Sequence, residues 1–329
     1  MTCCAEAMAK PARVTAVPSP SISGIAGMAV ASLHAELVLY PKPGLVSGID
    51  NGSHADMTAA TFMRSLFTLR HYFKAITLAG HACADFDHLA RLGVTAERGM
   101  FKATGGINTH RGAIFFLGLL CAAAGLLTAD RSAAQAITPS ALRAAIGRQW
   151  GDALRRHARQ RLAGAHGTLA AILHDVGGAR AQAARGMPAV FDIALPALQQ
   201  TLAAGRGLYC ARIDAFFSLL AQLDDSNVYH RGGEAGALLV RELGQQFMAR
   251  GGTADLHWRV SALAAHRMLV ARRLSPGGAA DLLAATCLVH RLGHEPMHDD
   301  VQPGGQETAS TAGADPICQR VRASIGAGR

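Results

Sequence analysis

The chain is poor in aromatic residues, which make up 5% of its 329 residues, and it contains no dense stripe of Lys and Arg. A single-stranded nucleic-acid site needs both features, because bases stack on aromatic rings while phosphates contact basic side chains. A basic nucleic-acid-binding protein is therefore disfavoured, and we expect no nucleic-acid partner. The formal net charge of +9 still suits a polyanionic ligand such as a nucleotide.

Cysteine is also scarce, with seven residues that are scattered and form no C-x-x-C pair. This spacing disfavours a zinc site or a disulfide framework and predicts reduced thiols in a cytoplasmic protein. No secretory signal is evident. The longest apolar run, residues 113–127, contains two glycines and falls short of the roughly 18 to 20 residues that a membrane span requires. We expect a buried helix there and no membrane partner.

Several common catalytic motifs are missing as well. The sequence has no Walker A string, no G-x-S-x-G elbow and no G-x-G-x-x-G after a strand. The string HEPMH at residues 294–298 matches H-E-x-x-H, but Pro296 disrupts the helix that would bring both histidines to one face. A zinc-protease site is therefore rejected.

Alternating β-branched runs are essentially missing, whereas helical periodicity continues along most of the chain. The sequence predicts an all-α fold, a single-domain multi-helix bundle over residues 24–295, whose polar Gly-rich loops form the site. Residues 1–23 are expected to be a flexible N-terminal segment and residues 296–329 a disordered C-terminal tail. The pattern predicts helices over 25–40, from 56 onward, and over 85–101, 111–128, 140–161, 166–175, 188–205, 209–223, 234–249, 253–273 and 277–293.

Residues 105–120, GGINTHRGAIFFLGLL, place a polar glycine-rich turn directly before an apolar helix. Unpaired N–H groups and the helix dipole at such a start favour anions, and four side chains add donors there. These side chains are Asn108, Thr109, His110 and Arg111. The alternative is an ordinary capped helix that enters the core, and the segment alone leaves it open.

A second polar segment between predicted helices, residues 41–57, contains Lys42 between two prolines, together with Asn51, His54 and Asp56. Rigid backbone on both sides positions the lysine ammonium, which suits a phosphate ligand. Asp56 is also a good N-cap for the helix that buries the four apolar residues Phe62, Leu66, Leu69 and Phe73.

Three later segments between predicted helices carry polar groups that also suit a nucleotide. Residues 223–233 place two adjacent carboxylates beside an amide and an arginine, which suits Mg²⁺ and phosphate, the alternative being a polar loop with an Asx turn. Arg180 and Arg185 lie in a Gly-rich stretch, and a solvated arginine explains each equally well. Ser275 and Pro276 resemble an ordinary helix start, followed by Gly277 and Gly278, which permit close approach of a ligand.

Five of these segments, in this order, resemble the triphosphoribosyl-dephospho-coenzyme A synthase family. They are PKPGLVS with GSHADM, GGINTHRGAIFFLGLL, GARAQAARGMPAVFDIALPAL, DDSNVYHRGG and SPGGAADLLAAT. The likeness covers about residues 24–293. The amino-acid sequence of the third segment is more similar to the branch that serves malonate decarboxylase than to the citrate lyase branch. The latter has Glu at position 182, where this chain has Gln, and Ser at position 279, where this chain has Ala, so neither side chain is essential to a shared mechanism.

The resemblance implies a pentosyltransferase with ATP and 3′-dephospho-CoA as substrates. The family transfers the 5-triphosphoribosyl group to the 2′-hydroxyl of dephospho-CoA and releases adenine. The product is the precursor of a prosthetic group on the acyl carrier protein of malonate decarboxylase or citrate lyase.

On this basis we assign roles as hypotheses. Asp224 and Asp225 are expected to share two roles, Mg²⁺ binding and general-base catalysis, with Asn227 orienting one of them. Asp56 is expected to be a second metal ligand or a helix cap. His54 or His110 is expected to act as the acid, because a histidine titrates near neutral pH. The expected substrate-binding residues are Lys42, Asn51, Asn108, Thr109, Arg111, Arg180, Asn227, Arg231 and Ser275.

One enzymatic alternative fits the same residues, an all-α Mg²⁺-dependent nucleotide or ADP-ribosyl hydrolase. Incubation with ATP alone separates the two, since only the transferase requires dephospho-CoA. The sequence leaves the oligomeric state open, with a homodimer as one alternative.

Overall fold

Helices form the regular secondary structure of the residues described by the computed structural model, which are 20–129, 137–164 and 179–294. These residues belong to one compact unit and contain no strand. The predicted all-α, single-domain fold is confirmed. Residues 1–19 and 295–329 lie outside the described part of the chain, as does the helix predicted over 166–175, so those expectations stay predictions.

Eleven α-helices occur in the described residues. They are α1 (Ile22–Val38), α2 (Ala59–His81), α3 (Phe86–Thr104), α4 (Arg111–Ala129), α5 (Pro139–Gly164), α6 (Ala179–Ala184), α7 (Leu195–Ala203), α8 (Gly207–Gln222), α9 (Ser226–Ala249), α10 (Trp258–Ala271) and α11 (Gly277–Leu292). A π-helix (Ala189–Ala194) precedes α7, and a 3₁₀ turn (Gly252–Ala254) precedes α10.

The π-helix lies within the segment predicted as one helix over 188–205. Its last bond runs from the N–H of Leu195 to the carbonyl of Val190, five residues back. Pro196 follows immediately and would clash with the carbonyl four residues before it in a regular α-helix. The wider π turn accommodates this proline, and α7 continues from it.

The centre of the fold is α4, which packs on α1, α2, α3, α5 and α11. Among the helices of the described residues, α4 alone has the length and hydropathy of a membrane span. Of its most apolar window, 67% is buried against the other helices, as is typical of a core helix. The prediction of a buried helix at this segment is confirmed by residues such as Leu117 and Leu120, both 0% exposed.

The start of α2 differs from the prediction that Asp56 caps it. The N-cap is Thr58, which forms a capping box with Thr61, and the helix begins at Ala59. Asp56 lies two residues too early for this role and is mostly exposed. The predicted apolar face is nevertheless correct, because Leu66, Leu69 and Phe73 are buried, while Phe62 is half-buried.

One polar segment that suggested a loop is the start of a helix, and the predicted helix start at residues 275–277 has a different cap. Residues 226–233 belong to α9, and its N-cap is Asp225; the helix is interrupted at Gly233, whose φ of 60° and ψ of −157° are not helical. Ser275 does not cap α11, and Pro276 occupies the N-cap position without a side-chain cap bond. The carboxylate of Asp225 supplies that cap from α9, accepting from the N–H of Ala279 at 3.0 Å.

Candidate active site

A cavity of about 690 Å³ lies between α1, α2, α3, α4, α9 and α11. Of the fourteen residues predicted for the site, twelve line this cavity. They are His54, Asp56, Asn108, Thr109, His110, Arg111, Arg180, Asp224, Asp225, Asn227, Arg231 and Ser275. Lys42 and Asn51 do not line it. The tertiary structure therefore brings together residues from five separated segments of the chain.

Asp225 is buried and holds two helices together. One carboxylate oxygen accepts from the N–H of Asn227 at 2.9 Å and from its side-chain amide at 3.1 Å. The other accepts from the N–H of Ala279. Burial raises the pKa of Asp225, and these donors, with a further one from Gly278, oppose the rise. Because both oxygens are engaged, Asp225 is better suited to capping than to proton transfer.

Asp224 is half-exposed and differs from its neighbour. Its carboxylate is ion-paired with Arg241 and accepts from the hydroxyl of Tyr229 at 3.4 Å. Asp224 also lines the cavity.

The predicted Mg²⁺ ligands do not fit a preformed metal site. Among the described residues, no group of three or more His, Cys, Asp or Glu side chains is placed to hold a metal ion. Asp225 already accepts N–H donors, Asp224 is paired with arginine, and Asp56 is 63% exposed beside His54. Mg²⁺ prefers carboxylate oxygens free of competing donors, and these three residues do not provide them together.

Lys42 is buried behind the cavity wall. Its ammonium forms an ion pair with Glu36, and its backbone carbonyl accepts a bond of 2.9 Å from His266. Glu36, not Lys42, lines the cavity. The direct phosphate contact predicted for Lys42 disagrees with this position, because burial of a charged side chain requires the partner that Glu36 supplies.

Asn51 is exposed in the same loop and lies outside the cavity lining. The neighbouring Asp50 accepts from the N–H of Gly52 at 2.8 Å and lies 3.2 Å from His266. The loop is thus held by its own contacts, and substrate binding by Asn51 disagrees with the cavity described here.

His54, Arg231 and Ser275 form a hydrogen-bonded chain at the cavity. Arg231 Nη2 donates to His54 Nδ1 at 3.2 Å, and His54 Nε2 lies 2.8 Å from Ser275 Oγ. Since a guanidinium only donates, His54 Nδ1 accepts and Nε2 donates to the serine. Burial, then the charge of Arg231, lower the pKa of His54, while Asp56 opposes the shift.

The start of α4 is largely capped, which weakens the predicted anion site. Asn108 Oδ1 accepts from the N–H of Arg111 at 3.2 Å, and Asp281 accepts from the N–H of Ala113. Arg111 itself pairs with Glu97 at 3.2 Å. The alternative of a capped core helix thus explains these backbone donors. Two polar atoms at the start remain without a partner among the described residues, Thr109 Oγ1 and His110 Nε2.

His110 does not meet the requirement for an acid that titrates near neutral pH. Burial, followed by the positive charge of Lys42, lowers its pKa to about 3. The imidazole is therefore neutral at physiological pH, which disagrees with the acid role predicted for His110.

Asp281 and Glu36 are cavity residues that the sequence interpretation missed. Asp281 lies against the backbone at Gly112, where an added Cβ would overlap its carboxylate. Burial, then the charges of Glu36 and Asp225, raise the pKa of Asp281 well above its ordinary value. Asp281 lies in a stretch whose sequence predicts an ordinary helix, so it carries no separate signal. Glu36 is the only Asp, Glu, Lys or Arg in the apolar helix α1. Its position was the available signal, since a carboxylate on an apolar face needs a buried partner.

Much of the remaining cavity wall is apolar, and this part follows α4 for about two turns, from residue 111 to 119. Side chains from α2, α3 and α4 line this arm. They are Tyr72, Ile76, Phe86, Leu89, Ala90, Val94, Ile114, Phe115, Phe116 and Leu119. The cavity therefore has one end with charged groups and helix starts, and one long apolar arm.

Comparisons with known proteins identify the relatives of this chain. A family model described as ATP:dephospho-CoA triphosphoribosyl transferase matches residues 22–299. A Pectobacterium atrosepticum protein named 2-(5''-triphosphoribosyl)-3'-dephosphocoenzyme-A synthase is 38% identical over 267 residues, covering 79% of this chain and 86% of the relative.

Two further relatives carry the same name preceded by the word probable. The Acinetobacter calcoaceticus protein is 35% identical over 268 residues, covering 82% of this chain and 90% of the relative. The Pseudomonas fluorescens protein is 38% identical over 281 residues, covering 84% and 94%. No solved structure matches this chain.

Proposed function

This chain belongs to the ATP:dephospho-CoA triphosphoribosyl transferase family, and on that premise we propose the reaction that its cavity performs. The 5-triphosphoribosyl group of ATP is transferred to the 2′-hydroxyl of 3′-dephospho-CoA, and adenine is released. The observation that carries this proposal is the convergence of twelve residues from the five family segments on one cavity.

The reaction breaks the bond between ribose C1′ and adenine N9 and forms a bond from C1′ to the acceptor oxygen. Adenine gains a proton as it leaves, and the acceptor hydroxyl loses one. Such a ribosyl transfer passes through an oxocarbenium-like transition state, so an acid on one side and a base on the other are needed.

Asp281 suits the acid role better than either histidine. Burial, then the charges of Glu36 and Asp225, raise its pKa well above the ordinary value, which favours the protonated carboxyl group that an acid requires. It accepts one backbone donor, at Ala113, whereas Asp225 accepts from two helices. Asp224 is kept as the base, because it lines the cavity as a half-exposed carboxylate.

Arg231 and Arg180 both line the cavity and remain the proposed phosphate ligands. Arg231 contacts the carbonyl oxygens of Ser53 and Arg273, which fix its guanidinium at the charged end. Because the predicted protein ligands do not form a metal site, we expect Mg²⁺ to enter as part of the ATP complex.

Product analysis tests the proposal. Incubation with ATP and 3′-dephospho-CoA is expected to release adenine and to yield an adduct with the mass of triphosphoribosyl-dephospho-CoA. Release of ribose phosphates or diphosphate from ATP alone would instead support the hydrolase alternative. Asp281→Asn should lower kcat by about 100-fold or more, as expected for loss of a general acid; retention of most turnover would reassign the acid.

The product is proposed to serve the acyl carrier protein of a malonate decarboxylase. The support is the amino-acid sequence of residues 178–198, which is more similar to that branch than to the citrate lyase branch. Deletion of the gene, followed by mass spectrometry of carrier subunits, is expected to leave the decarboxylase carrier without its prosthetic group. If only a citrate lyase carrier lost the group, the alternative branch would be correct.

A further inference from the structure

His110 is a buried histidine with one engaged and one unengaged nitrogen. The residue is 2% exposed, and its Nδ1 lies 2.7 Å from the hydroxyl oxygen of Ser65 on α2. Its Nε2 has no hydrogen-bond partner among the described residues, although the residue lines the cavity. A buried polar atom without a partner costs free energy unless a ligand or water satisfies it. The cavity is where such a ligand would lie.

The contact with Ser65 determines which nitrogen carries the proton. Ser65 is 0% exposed, so its hydroxyl proton requires an acceptor inside the protein. Among the described contacts, His110 Nδ1 is the only acceptor for it. If Nδ1 accepts, a neutral imidazole carries its proton on Nε2. The low pKa of His110 keeps the ring neutral, so Nε2 is a fixed N–H donor.

The wall around His110 suits a flat base better than a triphosphate. The ring of Phe62 meets that of His110 edge to face, with 5.0 Å between centroids. Val46 and Met57 are buried in the small apolar cluster against which Phe62 packs, and all three line the cavity. Phosphates need charged donors, whereas an apolar wall with one directed polar group is typical of a site for a heterocycle.

We propose that Ser65 is a positioning residue for His110, and that His110 Nε2 donates a hydrogen bond to a ring nitrogen of the departing adenine. The inference rests on the proposed function. As the bond from C1′ to N9 breaks, its electron pair moves onto the purine, and an N–H donor stabilises the charge that develops there. His110 does not transfer its own proton in this step, because Asp281 supplies the proton that adenine gains.

Steady-state kinetics of three variants and one control test whether Ser65 acts through His110. Ser65→Ala should lower kcat by about 10-fold, the equivalent of one neutral hydrogen bond, with a smaller change in KM for ATP. His110→Ala should lower kcat by about 100-fold. The double variant should be no slower than His110→Ala, because Ser65 acts only through the histidine.

Ser32→Ala is the matched control. Ser32 is also 0% exposed, and its hydroxyl donates to the carbonyl of Met28 at 2.7 Å; neither residue lines the cavity. This variant should keep kcat within about twofold. Unchanged kcat in Ser65→Ala, or an additive loss in the double variant, would overturn the positioning role.

Deaza analogues of ATP, in which carbon replaces purine N1, N3 or N7, test the ligand atom. One analogue is expected to react slowly and to lose almost nothing further from His110→Ala, since it lacks the accepting nitrogen. Equal loss from His110→Ala with ATP and all three analogues would overturn the contact with adenine.

Nitrogen-15 NMR of the wild-type protein is independent of how well the variants fold. The His110 resonance, assigned by its loss in His110→Asn, should show the pattern of a neutral ring protonated on Nε2, unchanged between pH 5.5 and 8. A proton on Nδ1, or titration in this range, would overturn the inference. Failure of the wild type to release adenine with dephospho-CoA present would instead contradict the proposed function, so the two failures are distinguishable.

Discussion

At the scale of single residues, adjacent aspartates have different physical roles. Asp225 is 5% exposed and caps the starts of α9 and α11, whereas Asp224 forms a half-exposed ion pair with Arg241. Ala279 contributes its backbone N–H to this arrangement. The contact does not involve the side chain.

Asp225→Ala is expected to lower the free energy of unfolding by about 3 kcal/mol, because it removes a buried carboxylate that caps the N–H groups of two helices. Asp224→Ala should cost no more than about 1 kcal/mol, as usual for an exposed ion pair. Urea denaturation of both variants measures the difference. Equal losses would contradict the capping role.

The low pKa of His110 predicts a loss of stability in acid. Its pKa is about 3 in the folded protein and 6.5 when unperturbed. Below pH 6.5 the unfolded chain binds a proton at this residue and the folded protein does not. Stability that is complete above pH 6.5 is therefore lost as pH falls toward 3, by about 1.4 kcal/mol per pH unit for one such group.

Denaturation of the wild type and of His110→Asn between pH 7 and 4.5 tests this sign. The slope of unfolding free energy against pH should be smaller in the variant. His290, whose pKa is lowered to about 4 by burial and then by His294, adds a similar slope to both proteins. Identical slopes would show that His110 is not held neutral.

At the scale of helices, glycine allows α2 and α4 to pack in close contact. A Cβ at Gly80 would overlap the carbonyl oxygen of Ala122, and one at Gly125 would overlap that of Thr77. The two backbones therefore approach too closely for any side chain at these positions. This contact positions α4, whose start contributes to the site.

Gly80→Ala is expected to destabilise the protein by about 3 kcal/mol, because the added methyl group must separate two buried helices. Gly27→Ala in α1 is the control, since nothing lies within 4 Å of its added Cβ. The control should stabilise the protein by about 0.5 kcal/mol through higher helix propensity. Thermal denaturation of the pair provides the measurement, and equal effects would argue against close packing.

Most helices could be predicted from the sequence, whereas several of their ends could not. Apolar periodicity located α3, α4 and α8 to within about three residues, because one buried face leaves a local pattern. The cap of α11 was misassigned, since Asp225 reaches it from a distance of 54 residues in the chain. Local spacing carries no information about such a partner.

At the scale of the whole molecule, the cavity combines a charged end with a long apolar arm. The arm suits the pantetheine chain of 3′-dephospho-CoA, because the methylene and methyl groups of this chain gain binding energy from buried contact. An acceptor that lacks this chain, such as ADP, should therefore have a kcat/KM at least about 10-fold lower.

Phe115→Ala in the arm provides the matched test. It should raise KM for dephospho-CoA while changing KM for ADP as acceptor by less than about twofold. Adenine release serves as the readout for both acceptors. Equal use of ADP and dephospho-CoA by the wild type would contradict the assignment of the arm.

The sequence by itself determined the helical fold, the family and most of the residues that line the cavity. Helices depend on local periodicity, and the family segments are contiguous strings, so both can be read along the chain. The tertiary structure alone decided what each polar residue contacts. Lys42 is buried and paired with Glu36. His54 contacts Ser275, which is 221 residues away in the chain, and Ser65 contacts His110, which is 45 residues away. Hydrogen-bond partners and burial set the charge and pKa of a side chain, and both come from distant parts of the chain.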